Sequence, residues 1–311
     1  MITSEPVVSQ EIDDHSKTNN TGIVPTNAPT FSKDMISVKK NVSFNCVSFG
    51  LAIITVGYDK AWIMDHKSDT MYFYNSRGKQ IKSKTIQRDC NINYMVLTRF
   101  GDMVVSTDDS NIRLLSYNGL VSSQIDTKPL KPEGLCLTDT EEIAVCLRDL
   151  RDRKDGANVT VFSRDGKQKI RQMRGRSSGG NFYITDPFRV VNVRDVFVVV
   201  NCMEDAVCVD NDDFTIWQYK GQCANLLKAF QPLDVDKDNY SNLLITDGKN
   251  HCVHYIDING ELLRLILTNE EIGMYYHWGI SVNKKTGDVW LGNSIGTSDI
   301  VVASYLSGCT K

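Results

Sequence analysis

One eight-residue pattern recurs along this chain and closes each time on glycine: apolar, any, apolar, apolar or aromatic, polar, two variable positions, Gly. It reads MYFYNSRG at 71–78, IRLLSYNG at 112–119, VTVFSRDG at 159–166, FTIWQYKG at 214–221 and VHYIDING at 253–260, with a weaker VVASYLSG at 301–308. The closing glycines stand 41, 47, 55, 39 and 48 residues apart. Self-similarity at such a period marks a propeller or a solenoid, in which each unit buries its faces against its neighbours. Two short apolar runs precede the copies, as PLDVD and NLLITD precede VHYIDING, and PEGLCL and EIAVCL precede VTVFSRDG. A fourth run follows the glycine, as in ELLRLIL and KQKIRQM. The runs have strand length and are bounded by Gly, Asp, Asn and Pro, and a 3.6-residue period is almost nowhere sustained. The expected fold is all-β: a six-bladed β-propeller of four-stranded antiparallel blades. Closure into a ring removes the open sheet edges that six separate meanders would leave.

The sixth unit lacks a fourth strand, whereas a strand-like DMISVKK at 34–40 belongs to no unit. This N-terminal strand is expected to complete the sixth blade and close the ring. Residues 1–30, rich in Ser, Thr, Asn, Asp and Pro, cannot bury enough apolar surface to offset chain entropy. They form an expected disordered polar tail, with the propeller occupying 31–311.

NHCVHYIDINGE at 250–261 resembles the NHL repeat, named for an Asn-His-Leu triplet ahead of its third strand, with Cys252 in place of the usual third residue. NLLITDGK resembles that repeat's second strand and aspartate turn, and PEGLCL its Pro-x-Gly-aliphatic first strand. The resemblance spans about 34–308. It implies a binding platform like the propellers that close tripartite-motif proteins, where they recognise substrates in the ubiquitin pathway. The chain carries no RING or B-box pattern, so ligase activity is not expected of it, and the resemblance implies a chain that is not an enzyme.

His251 and His254, three apart on a strand, would point to opposite sides of the sheet and cannot share one metal ion. His15, His66 and His277 add no readable three-ligand cluster, so no metal or other cofactor is expected. The nine cysteines include no Cys-x-x-Cys pair and several sit in apolar runs, as buried reduced thiols do. With no apolar leader at the start of the chain, a cytoplasmic location and no membrane association are expected.

The formal charge is −3, yet Arg148–Arg176 holds ten Lys or Arg against four Asp, a local +6 that leaves −9 elsewhere. The loop between second and third strands and the loop to the next blade open on one face. That places Arg148, Arg151, Arg153 and Lys154 near Arg174 and Arg176, with Phe182 and Tyr183 adjacent. Arginines beside aromatics suit an acidic protein partner, the expected ligand, or as the alternative RNA through phosphate contact and base stacking. DNA is not expected. A second alternative, a metal-dependent propeller hydrolase or lyase, would use residues opening the first strands: Asn91, Asn93, Glu133, Asp186, Asp234 and His277. Acidic groups there would offer oxygen ligands to Ca²⁺.

Overall fold

The computed structural model describes residues 36–45, 52–57, 60–65, 70–85, 90–116, 120–149, 156–222, 226–293 and 299–306. They form six four-stranded antiparallel sheets. Blade one comprises β2 (Ala52–Gly57), β3 (Lys60–Asp65), β4 (Thr70–Asn75) and β5 (Gln80–Thr85). Blade two comprises β6 (Ile92–Leu97), β7 (Met103–Thr107), β8 (Asn111–Leu115) and β9 (Val121–Asp126). Blade three runs through β10 (Lys131–Leu137), β11 (Ile143–Arg148), β12 (Asn158–Phe162) and β13 (Lys169–Met173). Blade four follows with β14 (Pro187–Val193), β15 (Val196–Asn201), β16 (Asp205–Asp210) and β17 (Thr215–Tyr219). Blade five has β18 (Pro232–Lys237), β19 (Leu243–Asp247), β20 (Cys252–Ile256) and β21 (Leu262–Ile266), then the short helix α1 (Asn269–Ile272). Blade six is β22 (His277–Val282), β23 (Val289–Asn293), β24 (Asp299–Leu306) and, as its outer strand, β1 (Ile36–Asn45).

The expected ring is therefore present, and so is the expected clasp. Each first strand packs against that of the next blade, and β22 meets β2 to close the circle. β1 pairs antiparallel with β24 from Ile36 opposite Leu306 to Asn45 opposite Asp299. Side chains reinforce that seam. Lys40 Nζ donates to the Ile272 carbonyl at 2.8 Å, Arg264 donates to the Ile36 carbonyl, and the Phe44 ring packs on Tyr74 and Trp290 with centroids 5.0 and 6.2 Å away.

The burial pattern explains why the sequence shows runs rather than alternation. Inner strands are sandwiched between neighbouring blades on both faces, so VFVVVN of β15 is buried at every position. Outer strands face solvent, and QIKSKT of β5 is almost wholly exposed. The core lies between blades: one apolar cluster joins Trp62 and Met71 of blade one to Met95 and Ile112 of blade two and Val145 of blade three.

Blade four departs from the sequence reading. FTIWQYKG covers its fourth strand, and the third strand is DAVCVD at 205–210. The turn between them is built on Asp213, which takes φ +71° without glycine, so a glycine-keyed pattern passes over it. The uneven 55- and 39-residue spacings around Gly221 are the trace of that skipped turn.

Gly260 illustrates what the closing glycines do. It sits at φ +84°, and a Cβ there would lie 2.8 Å from the Trp217 ring of the neighbouring blade. Gly287 has φ +77° with nothing within 4 Å of its Cβ direction. Gly260→Ala is expected to cost about 3 kcal/mol and Gly287→Ala about 1 kcal/mol, the second being left-handed strain alone. Thermal unfolding of the two variants checks this; equal losses would mean that the Trp217 contact is not made.

Candidate functional site

First strands begin on what we call the upper face and run down the central channel. Glu133 and Asp186, both anticipated at the channel mouth, are drawn together there by Arg148. Its Nε lies 2.5 Å and its Nη2 3.0 Å from the Asp186 carboxylate, and its Nη1 3.2 Å from Glu133 Oε1. Lys131 Nζ adds a contact of 3.1 Å to Glu133. Burial opposes the Arg148 charge, but the two carboxylates outweigh it and raise its pKa. The carboxylates thus converge on a guanidinium rather than on an open oxygen cage, which does not fit Ca²⁺ with its six to eight oxygen ligands.

One layer deeper, Arg189 is buried with its guanidinium 4.4 Å from the Tyr94 ring and 3.8 Å from the Phe188 ring. Its Nε lies 3.5 Å from Asp234 Oδ1. Asp234 also accepts from Tyr94 Oη at 3.3 Å and from the Ile280 N–H at 3.0 Å. Burial pushes the Asp234 carboxyl up to about 6, against the lowering pull of Arg189. Below this layer a chamber of about 230 Å³ is lined by Tyr94, Leu135, Val190, Val235, Asp236 and Lys284.

The remaining mouth residues have other duties. Asn91 donates Nδ2 to Asp108 at 2.7 Å, holding a turn, and Asn93 donates Nδ2 to the Pro132 carbonyl at 2.8 Å. His277 is fully buried, with Nε2 facing the Met274 carbonyl at 3.2 Å. Burial lowers its pKa to about 4, so the ring is neutral near pH 7.

The basic segment divides by radius. Arg148 turns into the channel mouth, whereas Arg174 and Arg176 meet the turn between the outer two strands of blade four. The backbone N–H groups of Arg174 and Gly175 both reach Asp213 Oδ1 at 2.6 Å. Arg176 pairs its own backbone with the Asp213 carbonyl and the Thr215 N–H, and its Nε lies 3.2 Å from Asp213 Oδ2. The Arg174 guanidinium sits 4.0 Å over Phe182 and that of Arg176 5.2 Å over Phe214, and these rings are 40% and 50% exposed. Tyr183, Phe214 and Trp217 line an open groove of about 560 Å³ beside Arg176. Arg151, Arg153 and Lys154 lie outside the described residues. Repeat period assigns a loop to a face, but not to the axis or the rim, which is why the two arginine groups read as neighbours.

His251 ends the turn between β19 and β20 with φ +54°, and its Nδ1 accepts the Tyr276 N–H at 3.2 Å. His254 is buried in β20 and shares nothing with it. A three-ligand group nevertheless exists: Asp247, Cys252 and His254 have ligand atoms within 4.8 Å of one another. The expectation of no such cluster is corrected here, because the third member comes from the adjacent strand, where Asp247 stands opposite Cys252.

No protein-family model and no curated protein sequence matches this chain. Solved structures do. A streptogramin B lyase superposes with a TM-score of 0.59 at 14% identity, covering 89% of this chain and 100% of that one. Virginiamycin B lyase from Staphylococcus aureus superposes at 0.58 and 14% identity, covering 86% and 99%. A catalytically inactive histidine-to-alanine variant of the latter with quinupristin superposes at 0.57 and 13% identity, covering 89% and 90%. At such identity the likeness establishes the fold. It also overturns the step from an NHL-like ring to a chain that is not an enzyme, since lyases stand among the propellers sharing this architecture. Among the described residues no helix is long and apolar enough to cross a membrane.

Proposed function

We propose that this propeller is an NHL-like protein-recognition module that holds an extended, acidic segment of a partner protein at the rim between blades three and four. The supporting observation is the pair of arginine-on-phenylalanine stacks, Arg174–Phe182 and Arg176–Phe214, beside an open groove. Half-exposed aromatics and arginines are the residue types that dominate binding energy at interfaces. The groove also runs along β17, the outer strand of blade four, which pairs with no further strand among the described residues, the setting in which a strand can be added. The chain itself begins such an addition, because Arg176 pairs in parallel with Phe214 before turning away. The Asn250 contacts to Asp247, 2.8 Å from the side chain and 3.2 Å from the backbone, support the NHL-like reading of the aspartate turn.

The test is capture of partner protein by the wild type and by the Phe182→Ala/Phe214→Ala and Arg174→Glu/Arg176→Glu variants. Each double variant is expected to weaken the interaction roughly 30-fold or more, equivalent to about 2 kcal/mol, while the unfolding midpoint changes little. Undiminished capture would move the interface elsewhere. A ligand released by ribonuclease, with affinity falling steeply as salt rises, would favour RNA in place of protein.

A further inference from the structure

We propose that Asp247, Cys252 and His254 form a buried binding site for a zinc ion inside blade five. Strand geometry brings the three together. Cys252 and His254 are two apart on β20 and project to one side, and Asp247 ends β19 directly opposite Cys252. All three are buried, and their ligand atoms lie within 4.8 Å of one another. Tetrahedral zinc, with bonds of about 2.0–2.3 Å, holds its ligand atoms about 3.3–3.8 Å apart, so small adjustments suffice.

The outer contacts orient these ligands. Asp247 Oδ1 accepts the Gln231 N–H at 3.3 Å and the Asn250 N–H at 3.2 Å, which aims Oδ2 at the His254 ring. His254 Nδ1 lies 2.7 Å from Tyr219 Oη, and Nε2 lies 3.2 Å from Asp247 Oδ2. When Nδ1–H donates to Tyr219, Nε2 and Oδ2 are two acceptors facing each other. A cation between them relieves that contact, and metal-bound histidines are commonly fixed in this way through the other ring nitrogen. The rival arrangement puts the proton on Nε2, donated to Asp247, with Tyr219 as donor to Nδ1.

Charge favours the metal. On binding, the Cys252 S–H bond breaks, its proton passes to solvent, and the thiolate bonds the ion. A dication, one thiolate, one carboxylate and a neutral imidazole sum to zero, the balance a fully buried site requires. The mixed sulfur, nitrogen and oxygen donors suit zinc over calcium or magnesium. His277, at the start of β22, is also buried.

The experiment uses the full chain, stripped with a chelator and titrated with Zn²⁺ or Co²⁺ alone. Expected are one ion per chain by elemental analysis, thiolate-to-cobalt charge-transfer absorption in the near ultraviolet, and a higher unfolding midpoint with metal. Cys252→Ser should abolish the absorption and weaken binding at least tenfold, whereas Cys208→Ser, which removes a buried thiol in blade four, should leave both unchanged. If Cys252→Ser fails to fold, the wild-type titration decides alone. No stoichiometric ion, no cobalt–thiolate absorption and no change in midpoint would overturn the site in favour of the proton-bridged pair. Metal retained by a folded Cys252→Ser variant would place it elsewhere and overturn it equally.

Discussion

Deleting residues through Asn45 is expected to lower the unfolding midpoint by roughly 10 °C or more. The strand closes blade six along its full length, and its Phe44 fills the space between Tyr74 and Trp290. The fit is close: a Cβ on Gly78 would lie 2.6 Å from that ring. Removing one packed aromatic side chain costs about 3–5 kcal/mol, and each kcal/mol lowers the midpoint by about 2–4 °C in a domain of this size. Loss of the backbone ladder to β24 adds to that and leaves β24 as a bare edge. Calorimetry of the truncated chain, with Phe44→Ala as the milder partner, reads the effect directly. A midpoint within a degree or two of the wild type would mean that the ring is closed without this strand.

The second large effect is expected at the channel core. Arg189→Met should destabilise the fold by about 3–5 kcal/mol, because it leaves the Asp234 carboxylate buried without its cation. Adding Asp234→Asn should recover most of the loss, since the amide oxygen still accepts from the Ile280 N–H. A double variant no more stable than Arg189→Met would locate the cost in lost ring contacts with Tyr94 and Phe188.

The same carboxyl gives a pH signature. Its folded pKa of about 6 lies above its ordinary 3.8, so between those values the folded chain binds the extra proton. The Asp234 contribution to stability is full below about pH 4 and is lost as pH rises to about 6, an upper limit of roughly 3 kcal/mol. Asp109 acts with the opposite sign, because its hydrogen bonds with Arg113 hold its carboxyl well below the usual range. The comparison to make is therefore wild type minus Asp234→Asn across that window, where the difference should fall as pH rises. A flat difference would mean that Asp234 is ionised throughout.

Most of the ring could be read from the chain because each blade repeats one local grammar of apolar run and turn. What escaped was whatever depends on partners far away in sequence. The Asp213 turn was skipped because an Asp-rich turn can adopt positive φ without glycine. Glu133, Asp186 and Asp234 were anticipated at the mouth. Nothing local indicated that Arg148 and Arg189, on strands otherwise full of valine and leucine, would turn inward to meet them. Likewise, Cys252 and His254 invited a metal reading, but His251 drew attention to the wrong third ligand. Asp247 looked like ordinary turn punctuation until the β19–β20 register set it across from the thiol.

The seam between β1 and β24 also sets a schedule. Leu306 lies 270 positions after Ile36, and at about 5–20 residues per second its synthesis follows on the order of ten to fifty seconds later. Until then β1 lacks its partner strand, and Phe44 has Tyr74 of blade one on one side but not Trp290 on the other. Ring completion therefore waits on the synthesis of β24, and a chain that stops short of it is left as an open arc with β1 unpaired.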